Sequence, residues 1–280
     1  MTYRTLLSHG IEQLESCSIP DSSVDAWLLL SFVTKKSKAL LLMDMEEEVQ
    51  DEVASEYLDC ISKRATNYPL QYITHEQCFY GYDFYVDERV LIPRYDTEIL
   101  EEQLLKVLKP GMSMLDMCTG SGCILLTAMK KTVGVTGTGV DISPGALEVA
   151  GLNAKRLDVE PRFIQSDIYE ALPEEEKYDV ITSNPPYIRS TVVPELMQEV
   201  KGFEPGIALD GGEDGLIFYR KITEGAVCRL KTSGYLIYEI GYDQGQDVAD
   251  IMLQHGFSDV KVIKDLAGLD RVVMGQYKRK

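Results

Sequence analysis

Residues 113–122 read Ser-Met-Leu-Asp-Met-Cys-Thr-Gly-Ser-Gly, a short apolar run that leads straight into Asp116-Met117-Cys118-Thr119-Gly120-Ser121-Gly122 and then into a helical stretch. Glycines at a strand-to-helix turn let the backbone approach a ligand closely, and the helix N-terminus favours a negative group. The next strand signal, 137–141, ends on Asp141, 19 residues after Gly122. An acid at that place can accept hydrogen bonds from both hydroxyls of a ribose. The plain alternative is a tight turn followed by a surface acid. An acid at this spacing, with both features on the right kinds of element, favours a nucleoside site.

Which nucleoside follows from what is missing. There is no G-x-x-x-x-G-K-S/T string, so a nucleoside triphosphate loop is disfavoured, and the absence of a full G-x-G-x-x-G weakens a dinucleotide. A second glycine string, from Gly134 to Gly139, precedes the acid-bearing strand end and opens no helix, so it reads as turn and strand. An acid opening the loop, Asp116, together with Asp141 suits a cofactor with a cationic amino-acid end, such as S-adenosylmethionine.

Outward from this loop, strand signals recur at 113–117, 137–141, 162–165, 178–183, 235–240 and 271–276. Helical stretches fall at 97–108, 122–131, 143–156 and 216–230. Ser143-Pro144 is an N-cap followed by proline at the first helical position. This alternation predicts an α/β fold with a doubly wound, mostly parallel sheet. Residues 1–78 read instead as a helical domain. Tyr3, Leu6, Leu7, Ile11 and Leu14 recur at helical spacing, Pro20-Asp21-Ser22 starts a second helix, and a third is expected over 46–65, opened by Glu46, Glu47 and Glu48. Between the two, 79–92 reads as a β-hairpin linker around Tyr80-Gly81-Tyr82-Asp83, ended by Pro93. The expected boundaries are therefore 1–78, 79–92 and 93–280.

Asn184-Pro185-Pro186-Tyr187 follows the 178–183 strand at its carboxyl end, the edge where doubly wound sheets bind ligands. Two prolines fix φ and leave rigid carbonyl acceptors. The Asn184 side-chain oxygen and the Pro185 carbonyl can each accept one N–H of a planar –NH2 group, and Tyr187 can stack on that plane. Methylation of an amide or aromatic amine needs this arrangement, because the nitrogen lone pair is delocalised and must be held and charge-stabilised as it reacts. An ordinary Asn-Pro turn is the bland alternative; the position downstream of the glycine loop disfavours it.

These segments, in this order, resemble class I S-adenosylmethionine-dependent methyltransferases that act on planar nitrogen. More narrowly the chain resembles the PrmC/HemK family, the protein-(glutamine-N5) methyltransferases of class I peptide chain release factors. The likeness extends through Leu91-Ile92-Pro93-Arg94-Tyr95-Asp96-Thr97-Glu98, Phe203-Glu204-Pro205, Asp210-Gly211-Gly212-Glu213-Asp214-Gly215, Glu239-Ile240-Gly241 and Asp270-Arg271. It implies a Rossmann-like methyltransferase domain behind a small helical substrate-recognition domain. It implies that Cys118, Thr119, Gly120, Ser121 and Gly122 wrap S-adenosylmethionine, with S-adenosylhomocysteine as product, that Asp141 holds the ribose, and that Asp167 and Ile168 flank the adenine. It also implies that Asn184, Pro185, Pro186 and Tyr187 clamp the glutamine amide of a Gly-Gly-Gln loop, with Asn184, Pro185 and Tyr187 at the reacting group and Asn184 bordering the cofactor. Arg94, Thr97 and Glu98 are implied near the cofactor's methionine end. Two positions depart from the family: Cys118 stands where the loop's first glycine is usual, and Tyr95 where proline is frequent. Cys118 fits if its φ need not be positive, and is expected to be structural, without redox function.

Composition narrows the substrate. The 28 basic and 45 acidic side chains give a net charge of −17, which disfavours gripping nucleic acid by its phosphates. That argues against a base methyltransferase, which also needs a flipped base and a basic groove. The sister activity, glutamine methylation of a large-subunit ribosomal protein, is disfavoured because its relatives resemble Ile-Pro-Arg-Ser-Pro-x-Glu where this chain reads Ile-Pro-Arg-Tyr-Asp-Thr-Glu. A non-catalytic binding module is disfavoured by the intact Asp116, Gly120, Gly122, Asp141 and Asn184. Six scattered cysteines and three histidines predict no metal site, and no apolar run predicts a membrane span or signal peptide. A cytoplasmic monomer with a release factor as partner is expected.

Overall fold

The computed structural model describes residues 1–278. They divide into two compact units, one of residues 1–76 with 197–203, the other of 77–196 with the chain from 204 onward.

The first unit holds α1 (Tyr3–Ser16), α2 (Ser22–Thr34), α3 (Lys38–Met43), α4 (Asp51–Arg64), α5 (Leu70–Thr74) and, returning from later in the chain, α9 (Gln198–Phe203). Thr2 caps α1, its hydroxyl accepting from the Thr5 N–H at 3.3 Å. The helical periodicity buries Leu6, Leu14, Leu29, Leu30, Tyr57 and Ile61 completely, each leucine or isoleucine stabilising by about 1.5–3 kcal/mol. The return of α9 is held by charge and by ring packing. The buried Arg64 donates to Asp25 at 2.7 Å and to Glu199 at 3.0 Å, and Tyr68 meets Phe203 edge-on at 5.1 Å. Removing one partner would leave a buried charge uncompensated. No boundary in the sequence announces this return, since its partners lie more than a hundred residues away.

Two local expectations are corrected. Glu46, Glu47 and Glu48 precede a helix that begins only at Asp51. They sit in a turn in which Glu46 pairs with Arg4 and Glu48 bridges to Thr2. The hairpin is shorter and earlier than 79–92: β1 (Gln77–Phe79) pairs antiparallel with β2 (Tyr82–Phe84), and residues 85–92 form no strand.

The second unit continues with α6 (Thr97–Val107), β3 (Ser113–Met117), α7 (Cys123–Lys131), β4 (Thr136–Asp141), α8 (Pro144–Leu157), β5 (Arg162–Gln165), β6 (Tyr178–Ser183), α10 (Ile217–Arg229), β7 (Leu230–Glu239), α11 (Gly245–Gln254), β8 (Phe257–Lys264) and β9 (Asp270–Tyr277). One sheet runs β5-β4-β3-β6-β7-β9-β8, parallel up to β7, with β9 antiparallel to β7 and to β8. Alternate strand residues feed two cores. Leu115, Met117, Ile181, Leu236 and Tyr238 join α10 and α11, whereas Met114, Val180 and Ile237 join α6, α7 and α8. The edge strand β8 was not legible. Its Asp259, Lys261 and Lys264 interrupt the apolar pattern, and its pairing to β9 carries register shifts.

The order places the topological switch at β3, which has β4 on one side and β6 on the other. Met117 lies beside Val140 and beside Ser183 in register, so the residues leaving all three strands emerge side by side.

Candidate active site

A cavity of about 220 Å³ opens at this edge, as expected for ligand sites in doubly wound sheets. Its wall includes Cys118, Thr119, Gly120, Ser121, Asp141, Asp167, Ile168, Asn184 and Pro186. Of the residues implied by sequence, Gly122, Pro185 and Tyr187 do not line it.

The loop wall is made of backbone. Cys118, Gly120 and Gly122 have φ of 57°, 54° and 80°. The condition set for Cys118 is therefore not met: the position does require a left-handed backbone, and cysteine occupies it at a steric cost that glycine would not bear. The half-buried Cys118 thiol has its pKa pushed up, by burial first and then by the Asp141 carboxylate, so the reactive thiolate is disfavoured.

Asp141 ties the loop to the next strand. Its Oδ2 accepts the Gly120 N–H at 2.9 Å and its Oδ1 the Ser143 N–H at 2.9 Å. Burial pushes this carboxyl up and the backbone donors pull it back. Ser143 caps α8, accepting from Ala146 N at 3.2 Å. Asp116 differs from its expected role at a cationic end. It is fully buried and off the cavity wall, and it accepts from Thr119 Oγ1 at 2.6 Å and Thr182 Oγ1 at 2.9 Å. Burial raises its pKa to about 7. It braces the loop from beneath.

Asn184 leaves β6 half-buried, its Nδ2 donating to Thr97 Oγ1 at 3.4 Å. Tyr187 turns into the core, and its hydroxyl donates to Glu239 Oε1 at 3.3 Å. The Asp-Gly-Gly loop holds this segment from behind. Gly211 N–H donates to Ile188 O at 2.8 Å, and Gln244 Nε2 donates to Tyr187 O at 3.0 Å and to Gly215 O at 3.2 Å. A Cβ on Gly211 would stand 2.7 Å from Pro186 O, and one on Gly215 would stand 2.5 Å from Tyr187 O. Both glycines are dictated by close backbone approach. Asp210 and Asp214 serve turns, accepting from Gly212 N and Leu216 N at 2.9 and 3.1 Å.

Comparison with known proteins decides the family. Residues 5–74 match the PrmC N-terminal domain model and 95–200 the methyltransferase small domain model. The chain is 42% identical to the release factor glutamine methyltransferase of Clostridium acetobutylicum, over 89% of this chain and 90% of that one. The chain belongs to the release factor glutamine methyltransferase family. A second member, from Koribacter versatilis, is 37% identical over 99% of both chains. Among solved structures, a methyltransferase from Pyrococcus furiosus superposes with a TM-score of 0.56 at 19% identity, covering 72% of this chain and 92% of that one, which supports the fold.

Within this family member, Arg94 and Thr97 line the cavity, but Glu98 does not; its carboxylate accepts from the Tyr80 N–H at 2.8 Å. Arg94 is held by the buried Glu204, donating to Oε1 at 2.5 Å, while Ile92 N donates to Oε2 at 3.3 Å. Sequence reasoning missed Pro205, Ile207 and Ala208, which also line the cavity. The Phe203-Glu204-Pro205 string marked the segment without indicating which way it faces.

Proposed function

We propose that the chain transfers a methyl group from S-adenosylmethionine to the side-chain amide nitrogen, N5, of the glutamine in the Gly-Gly-Gln loop of class I peptide release factors. One observation carries this reading: Asp141 and Asn184, leaving neighbouring strands on either side of β3, share the wall of one cavity with the glycine loop.

The residues present fit the cofactor. Each Asp141 oxygen keeps a lone pair beyond its backbone bond, enough for two ribose hydroxyls. Ile168 holds φ of 51°, strained for a β-branched residue and typical of a backbone wall shaped to meet a ligand. Together with Asp167 it is assigned to the adenine, and Cys118–Gly122 to the remainder. When bound, S-adenosylmethionine supplies an electrophilic methyl group. The Asn184 Oδ1 and the Pro185 carbonyl accept the two amide N–H groups of the glutamine, hold its nitrogen in place and stabilise the positive charge that grows on it. Pro186 keeps these acceptors rigid, and Tyr187 anchors the end of the segment.

A Gly-Gly-Gln tip alone buries little area, so the helical unit is assigned to the body of the release factor. It exposes Leu40, Leu42 and Met43 around α3. The test is methyl transfer from labelled S-adenosylmethionine to full-length release factor, large-subunit ribosomal protein and duplex DNA side by side, with the product mapped by mass spectrometry. Label on the Gly-Gly-Gln glutamine is expected. Label on either other substrate instead would overturn the assignment of substrate while keeping the fold.

A further inference from the structure

Three cations line the cavity: Arg89, Arg94 and Lys221. Two are spent on carboxylates. Arg89 pairs with Asp87 at 2.6 Å and with Glu148 at 2.8 Å, and Arg94 pairs with the buried Glu204. Lys221 differs. Among the described residues no hydrogen bond or ion pair engages its ammonium. The chain has 45 acidic side chains and sets none of the described ones against this cation.

Its place on the wall is fixed by the docking of α10. Phe218 and Lys221 are three residues apart, share one face of the helix and both line the cavity. The adjoining stripe of α10, Ile222, Gly225 and Arg229, is held against the segment that follows β5. The Tyr169 hydroxyl donates to Ile222 O at 3.0 Å, and a Cβ on Gly225 would stand 2.3 Å from the Tyr169 ring. Farther along the helix, Arg229 donates to Leu172 O at 3.2 Å. Lys221 is therefore the cavity-lining neighbour of a residue bonded to Tyr169, and Asp167 and Ile168, which immediately precede Tyr169, line the same cavity. Asp167 is half-buried, and among the described residues its carboxylate has no hydrogen bond or ion pair, with Lys221 or with any other group. One end of the cavity thus carries an unspent acceptor and an unspent donor that do not meet each other.

Adenine presents the complementary pair. Its 6-amino group carries two hydrogens, and the ring nitrogens N1 and N7 flank that group with lone pairs. An ionised carboxylate only accepts and an ammonium only donates. We propose that Lys221 is a specificity-determining residue of the cofactor site: its ammonium donates to a ring nitrogen beside the adenine 6-amino group, while Asp167 accepts from that group. The inference rests on the assignment of Asp167 and Ile168 to the adenine given above. The pair selects an amino-purine, because a 6-oxo base turns an acceptor toward the Asp167 carboxylate, where two acceptors repel.

The experiment is calorimetric binding of S-adenosylhomocysteine to the full chain. This ligand carries no sulfonium, so loss of the lysine charge is not offset by relief of repulsion from a cation. Lys221→Met keeps the apolar stem and removes the donor; the side chain is exposed, so the denaturation midpoint should not move. Its affinity is expected to fall about 10-fold. The parent should bind either the 1-deaza or the 7-deaza analogue about 10-fold more weakly than S-adenosylhomocysteine. Lys221→Met should bind that analogue no more weakly than S-adenosylhomocysteine, since the same hydrogen bond is already gone. Equal affinity of Lys221→Met and the parent overturns the proposal, and so does a deaza penalty of the same size in both. A parent that does not bind S-adenosylhomocysteine overturns it together with the cofactor site. Unchanged affinity in Asp167→Asn, with the Lys221 differences present, keeps Lys221 at the base and removes Asp167. If release factor is not methylated while these differences hold, the base contact stands and the substrate assignment falls.

Discussion

The two walls of the cavity are built by different means. The loop at Cys118–Gly122 is a backbone surface, shaped by left-handed residues and pinned by one carboxylate, Asp141, to two N–H groups. The wall at Asn184–Tyr187 is a side-chain surface, in which the Asn184 amide donates to the Thr97 hydroxyl and the Tyr187 phenol donates to the buried Glu239 carboxylate. A backbone wall tolerates changes of side chain that keep its φ values. A hydrogen-bonded side-chain pair fails when either member loses its donor or acceptor, because the other reorients.

The largest expected effect tests the second wall directly. Asn184→Ala should lower kcat by about 100-fold or more while cofactor affinity stays nearly constant, since it removes the acceptor proposed for the reacting amide. Equal turnover of mutant and parent in a single-turnover assay would remove Asn184 from the chemistry. Next, Gly215→Ala places a Cβ against Tyr187 O at a φ of 75° and should destabilise the protein by about 2–3 kcal/mol, read as a lowered denaturation midpoint. A normal midpoint would mean that the Asp-Gly-Gly loop does not clamp this segment. On the first wall, Asp141→Ala should weaken S-adenosylmethionine binding about 10- to 30-fold by calorimetry, the loss expected for hydrogen bonds to a charged group. Unchanged affinity would take the ribose away from Asp141. The smallest effect is the one that best distinguishes the walls. Cys118→Gly should relieve the left-handed strain and raise stability by about 0.5–1 kcal/mol without loss of turnover, measurable by urea denaturation. A destabilised or inactive Cys118→Gly would show that the thiol contributes more than a tolerated backbone.

The legibility of the two walls differs in the same way. The glycine loop and Asp141 could be read because a strand-to-helix turn and its following acid lie at short spacing, and local backbone chemistry fixes them. Gly134–Gly139 reads as turn and strand, and residues 136–141 form β4. Asn184–Tyr187 was legible as a motif, but its mechanics were not. Thr97 lies 87 residues before Asn184 and Tyr187 lies 52 before Glu239, and nothing local marks them as neighbours. Asp116 shows the reverse error. Its place at the opening of the loop suggested a role facing the ligand, yet the strand alternation that buries Leu115 and Met117 on one face points Asp116 into the opposite side, beneath the loop.

By itself the sequence determined the class of fold, the glycine turn, the Asn-Pro-Pro-Tyr strand exit and the family, because each is encoded in contiguous residues with a backbone period or a turn chemistry of its own. The tertiary structure alone decided the return of residues 197–203 to the helical unit, the left-handed backbone at Cys118, and the meetings of Thr97 with Asn184 and of Tyr187 with Glu239. Those depend on which buried donors and acceptors meet across distant elements. That pairing is set by sheet order and register, and a linear spacing does not contain it.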